Sequence, residues 1–133
     1  MLSRFRTILA LTTIVPSLAC EKEFTREEEG SLLAKQKQEI IAFAKSGVCS
    51  VNSQCRYAGL GSKPCGGPWS YVVYSTSVDT NKLVSKVSFY NAAEDRYNRK
   101  WGIYSTCDVT PPPDSIRCLK GVCVGYQNGM IAY

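Results

Sequence analysis

An α+β fold is predicted: a small antiparallel sheet packed with two helices and stabilised by disulfides. Three features point to it. Two long segments carry helical periodicity and helix start signals. Short strand-like runs lie between and after them, joined by Gly-containing turns. Six cysteines fall only in the part of the chain that begins at Cys49. A chain of 133 residues is the size of one domain. Its 44% hydrophobic and 20% charged content is that of a globular protein rather than a disordered one.

The first nineteen residues read as a signal peptide and not as fold material. Arg4 and Arg6 give a positive start, Ile8 to Val15 is an apolar run broken only by Thr12 and Thr13, and Pro16 ends it. Ser17 and Ala19 are the small residues that a cleavage site needs. The run is far below the ~20 residues of a spanning helix. Ser17-Leu18-Ala19-Cys20 resembles a bacterial lipobox, with Ser17 where that pattern usually has Leu. Cys20 would then be a lipidated N-terminus holding the chain to a membrane, facing the periplasm or the cell surface. An ordinary signal peptidase would cut the same bond and secrete the protein. The anchor has the advantage of explaining an odd cysteine count, seven in all.

Residues 20–24 read as a tether, and 25–133 as a single cysteine-rich domain with an N-terminal helix. Thr25-Arg26-Glu27-Glu28 fits a capping box, and three successive glutamates suit the positive end of a helix dipole. Leu33, Ile40 and Ala44 share one face, flanked by Ile41, and Gly47 is a stop. Strands are expected over 54–60 and 69–75, separated by the loop Gly61-Ser62-Lys63-Pro64-Cys65-Gly66-Gly67-Pro68. A second helix runs from Thr80 to Trp101, between Asp79 as N-cap and Gly102 as stop. Its inner stripe is Leu83, Val87, Tyr90, Glu94, Tyr97 and Trp101, in which Glu94 is a carboxylate in an apolar line. Pro111-Pro112-Pro113 is a stiff link. A hairpin turns at Lys120-Gly121, and Asn128-Gly129 marks another before Met130 to Tyr133.

Charge and missing residue types bound the function. The chain has no histidine, which removes Ser-His-Asp and Cys-His nucleophile systems and any His-bearing zinc site. Without the signal peptide the net charge falls to +3. Residues 20–48 hold six acids and five bases, and residues 49–133 hold five acids and nine bases. That is too dilute a basic charge for a nucleic-acid partner.

Cys49, Cys55, Cys65, Cys107, Cys118 and Cys123 contain no C-x-x-C, so neither a metal knuckle nor a thioredoxin-like site is supported. Three disulfides suit an exported chain, each adding about 2–4 kcal/mol. Six cysteines allow 15 pairings, among which sequence does not choose. If Lys120-Gly121 is the turn, Cys118 faces Cys123 at a non-hydrogen-bonded position, which favours a local bridge. Cys49–Cys55 and Cys65–Cys107 would complete that set.

Cys55-Arg56, Gly59, Gly61 and Cys65-Gly66-Gly67-Pro68 resemble a group of small exported cysteine-rich bacterial proteins, many of them lipoproteins. Tyr71 to Ser75, Glu94, Asn98, Ser105-Thr106-Cys107 and the Cys118 to Cys123 segment around Gly121 extend the likeness over about residues 49–124. The resemblance implies export, disulfides and one compact module. It implies no catalytic residue, since the group has no established activity.

The candidate recognition site is Gly66, Gly67, Pro68 and Trp69, next to Cys65. Two glycines admit a partner's backbone, a disulfide and a proline ring pre-organise the loop, and an exposed Trp is a frequent binding hot spot. The alternative is a tight turn whose Trp enters the core, which the usual burial of Trp favours. Glu94 reads either as a ligand contact or as an acid satisfied by Arg56 or by tyrosine hydroxyls. Arg96, Arg99 and Lys100 with Arg56, Lys63 and Lys120 could form a basic patch, or could simply be a solvated helix end and its neighbours. The tyrosines read mostly as core or cross-strand residues.

The function expected is a non-enzymatic binding module, membrane-anchored through Cys20, with a protein or other envelope component as partner and no cofactor or metal. One alternative is an inhibitor of a protease or lysozyme. Another is a small hydrolase with Glu94 and a second acid among Asp79, Asp95, Asp108 and Asp114.

Overall fold

The computed structural model describes residues 23–133. The signal peptide and Cys20 lie outside the described residues. Helix α1 spans Arg26–Lys45 and helix α2 spans Thr80–Trp101. Both start as the sequence predicts. The Thr25 hydroxyl accepts from the Glu28 amide while the Glu28 carboxylate accepts from the Thr25 amide, completing the capping box. Asp79 accepts from the Lys82 amide, and Gly102 ends α2 in the left-handed region at φ 58°. Ile40 and Ala44 of α1 and Leu83, Val87 and Tyr90 of α2 are buried. No helix among the described residues is long and apolar enough to cross a membrane.

The strands form two antiparallel sheets where a single one was expected. Strands β1 (Cys55–Leu60) and β2 (Ser70–Ser75) pair with each other, Cys55 opposite Ser75 and Leu60 opposite Ser70. Strands β3 (Ser115–Leu119), β4 (Val122–Gln127) and β5 (Met130–Ile131) make the second sheet in that spatial order. Its turns lie where the sequence puts them. Lys120 and Gly121, then Asn128 and Gly129, all take the positive φ of a type I′ turn.

Side-chain alternation explains the split. On one face of β1–β2, Leu60, Val72 and Tyr74 pack with the buried residues of both helices, and Ala58 packs against that cluster. On the other face, Cys55 and Val73 meet Cys49 and Cys123, with Ile116, Cys118 and Tyr133 beside them. The β1–β2 sheet is therefore a middle layer, helices on one side and the β3–β4 hairpin on the other. The hairpin lies so close that a side chain at Gly125 would reach Val73 Cγ2 at 3.0 Å.

Layering also corrects the expected disulfides. Cys118 does face Cys123 across the hairpin, but the two are not bonded. Cys118 pairs with Cys49 and Cys123 with Cys55, while Cys65 pairs with Cys107 as anticipated. The hairpin's cysteines face inward, onto the layer that carries Cys49 and Cys55, so each finds its partner across the layers. The cross-layer bridges span 69 and 68 residues. In the chain-entropy account they restrict the unfolded chain by about 2 kcal/mol more than a hairpin-local bond would.

Candidate functional site

The loop between β1 and β2 is held from below by one line of polar side chains on α2. Asn91, Glu94 and Asn98 lie three and four residues apart, on one helix face. Asn91 Nδ2 donates to the Gly59 carbonyl at 3.0 Å and Asn91 Oδ1 accepts from the Gly61 amide at 2.7 Å. Glu94 Oε2 accepts from the Ser62 amide at 2.6 Å. Asn98 Nδ2 donates to the Ser62 carbonyl at 2.7 Å. Backbone groups that leave the β1–β2 ladder are thus satisfied by side chains instead.

Glu94, the anomaly of the inner stripe, is one of these supports. Its other oxygen accepts from the Tyr90 hydroxyl at 3.0 Å. Of the two partners expected, a tyrosine is found and Arg56 is not. Arg56 turns to the carbonyls of Ser53 and Cys55. Burial raises the Tyr90 phenol well above the usual tyrosine range, and the negative charge of Glu94 raises it further. Gly61 is required at this point. It has φ 95°, and a Cβ there would lie 2.8 Å from both Glu94 Oε2 and Trp69 Cδ1.

The upper part of the loop is clamped differently. The Lys63 amide donates to the Gly67 carbonyl and the Gly66 amide to the Lys63 carbonyl, at 2.9 and 2.8 Å. The Lys63 side chain is only 4% exposed. Its ammonium donates to the Asp108 carbonyl and carboxylate at 2.8 and 3.1 Å, and it sits 5.4 Å from the Trp69 ring centroid. Asp108 also accepts a short hydrogen bond from the Thr106 hydroxyl. That bond, and then Lys63, hold its carboxyl below the ordinary aspartate value. Lys63–Asp108 runs beside Cys65–Cys107, so the same two segments are tied twice.

What remains outside the clamp is small. Cys65, Gly66 and Gly67 are exposed, while Pro68 and Trp69 are half-buried. Gly66 and Gly67 have φ 94° and 80°, and nothing lies within 4 Å of a Cβ built on either. Their lack of a side chain serves the turn and leaves the tip open. Trp69 stands between the two sequence readings, packed against Gly61 and beneath Lys63 rather than projecting freely. Lys63, Asn91 and Asp108 were not foreseen as parts of this site. Asn91-x-x-Glu94-x-x-x-Asn98 was a helical polar line beside the apolar stripe, and it is the signal that could have found two of the supports.

The other sequence candidates dissolve into local contacts. Arg99 bridges Asp95, and Lys100 bridges Glu29 and lies over Trp101. With Lys63 buried and Arg56 on backbone carbonyls, the six cations do not make a single patch. Tyr57, Tyr71 and Tyr133 form an edge-to-face series, with centroids 5.6 and 5.8 Å apart. The five acids beyond Cys49 each hold a contact: Asp79 the α2 cap, Glu94 the loop, Asp95 Arg99, Asp108 Lys63, and Asp114 the Asn128 amide at 2.7 Å. Sulfurs of Cys49, Cys55 and Cys123 come within 4.8 Å of one another, where two disulfides lie side by side. No protein-family model, curated protein or solved structure matches the chain.

Proposed function

We propose that this protein is an exported lipoprotein of a bacterial cell envelope. In this reading it is anchored through Cys20 and binds a macromolecular partner with the Cys65–Trp69 loop, without catalysing a reaction. One observation carries the binding role. An exposed Gly66-Gly67 tip is held from two sides, by Cys65–Cys107 and Lys63–Asp108 above and by the α2 side chains below. A loop ordered before contact loses little entropy on binding. The structural contacts of all five acids beyond Cys49 favour binding over a carboxylate-pair hydrolase. Disulfides and an N-terminal leader pattern support export, and the lipobox-like Ser17–Cys20 segment supports the anchor.

A rigid, disulfide-clamped loop is also a shape suited to blocking an enzyme's cleft, so inhibition of a protease or lysozyme is the most specific form of the proposal. Two measurements test it. The mass of the mature N-terminus should show diacylglycerol on Cys20, and a free cysteine there would mean secretion instead. Partner capture should drop sharply when Cys65 and Cys107 are both replaced by Ala, which frees the loop and leaves two disulfides. Capture that is indifferent to this change would place binding elsewhere on the module.

A further inference from the structure

Below the loop, α1, α2 and Trp69 line an open cleft of about 380 Å³, toward the small end of the ~300–1,000 Å³ typical of ligand pockets. Its walls include the aromatic side chains of Trp69, Tyr90 and Tyr97. The α1 wall is thin because it carries Gly30, where a Cβ would come within 3.2 Å of the Tyr97 hydroxyl, and Ala34.

Glu94 lines the same cleft and has no cationic partner among the described residues, unlike Asp95, Asp108 and Glu29. It accepts two hydrogen bonds, one to each oxygen. An ionised carboxylate has about four acceptor sites, so it retains capacity. The Tyr90 hydroxyl hydrogen is directed at Glu94 and the Tyr97 hydroxyl donates to the Arg26 carbonyl. Asn98 donates its amide to Ser62. The two tyrosine hydroxyls and one Asn98 N–H of this wall are thus engaged within the protein, while Glu94 keeps acceptor capacity. The one cation in the lining is Lys37, on the opposite helix, while the Lys63 ammonium behind Trp69 is already paired with Asp108.

We propose that this cleft binds a small organic ammonium ion, with Glu94 as its counter-charge and the half-buried Trp69 and Tyr97 as its aromatic walls. A cation gains from ring faces within about 6 Å and from the carboxylate at once. Lys37 would compete weakly for Glu94 and weaken binding. The site shares Trp69 and Glu94 with the loop and its supports but does not use the Gly66-Gly67 tip, so a failure to bind ammonium leaves partner capture by the tip to its own test.

The test is titration of the purified, disulfide-intact protein with choline, with n-butylammonium and with 3,3-dimethyl-1-butanol, the uncharged isostere of choline. Binding is followed by NMR at the Trp69 indole and the Asn98 side-chain amide. Saturable shifts are expected with an ammonium and none with the isostere, and the two ammonium arms tell a quaternary from a primary head. Glu94→Gln should weaken binding about tenfold. Lys37→Met, on the other wall and outside the loop supports, should strengthen it. The proposal is overturned by an absence of saturable shifts with both ammonium ions, by equal shifts with the isostere, or by a Lys37→Met affinity no better than the parent's. The last comparison decides the matter even if Glu94→Gln fails to fold.

Discussion

Gly61 and Gly66 have nearly the same φ and opposite surroundings, so they separate backbone strain from steric contact. Alanine at Gly66 meets open space and should cost only the left-handed backbone penalty, about 1 kcal/mol. Alanine at Gly61 adds a collision with Glu94 and Trp69 and should cost about 2–4 kcal/mol. Urea unfolding midpoints of the two variants measure the gap, and equal losses would mean that Glu94 and Trp69 give way freely. Glu94→Gln should itself lower stability by about 1–3 kcal/mol, because a charged acceptor of two hydrogen bonds becomes neutral. An unchanged melting temperature would remove Glu94 from the loop's support. Sequence showed Glu94 as an oddity and offered a tyrosine hydroxyl as a partner, which Tyr90 is, but not the loop it holds. Its partner there is the amide of Ser62, 32 residues earlier, and a backbone group carries no signal in the residue letters.

Among the elements, the two helices and the tight turns were legible because their signals are local. Thr25 with Glu28, Asp79 with Gly102, and the Lys120-Gly121 and Asn128-Gly129 pairs each specify geometry within a few residues. The middle layer was not legible in the same way. Strand β2 is buried on both faces from Val72 to Ser75, so it has no polar face to give its orientation away. Between these elements, the Lys63–Asp108 tie should respond to acid. The folded Asp108 carboxyl is held below its ordinary value by Thr106 and Lys63. The contact is therefore complete above the unfolded aspartate value, about 3.9, and is lost as pH falls through the lower folded one. Since Lys63 lies over Trp69, the Trp69 indole resonance should report that step, with a midpoint below that of free aspartate. Asp108→Asn should abolish the step, and its persistence in that variant would assign it to another acid.

At the scale of the whole molecule, the three disulfides do unequal work. Chain entropy alone hardly distinguishes them: bridges spanning 69 and 42 residues differ by only about 0.4 kcal/mol. Burial distinguishes them far more. Cys55 is fully buried, and Cys49 and Cys123 nearly so, at the seam between the β1–β2 layer and the hairpin. Cys65 and Cys107 are exposed. Replacing Cys55 and Cys123 by Ala removes both the cross-link and packing at the seam, and should cost about 4 kcal/mol or more. Such a loss is enough to detach the hairpin or unfold a domain of ordinary stability. Replacing Cys65 and Cys107 removes a cross-link without buried packing and should cost less, at most about 4 kcal/mol, with the layers intact. Amide exchange separates the two outcomes: the first variant should lose protection along β3 and β4, the second only in the loop. Peptide mapping of the oxidised protein supplies the prior condition. Cys118 and Cys123 must appear in separate linkages, with Cys49 and Cys55 respectively, and a Cys118–Cys123 linkage would undo the layered arrangement from which this difference follows.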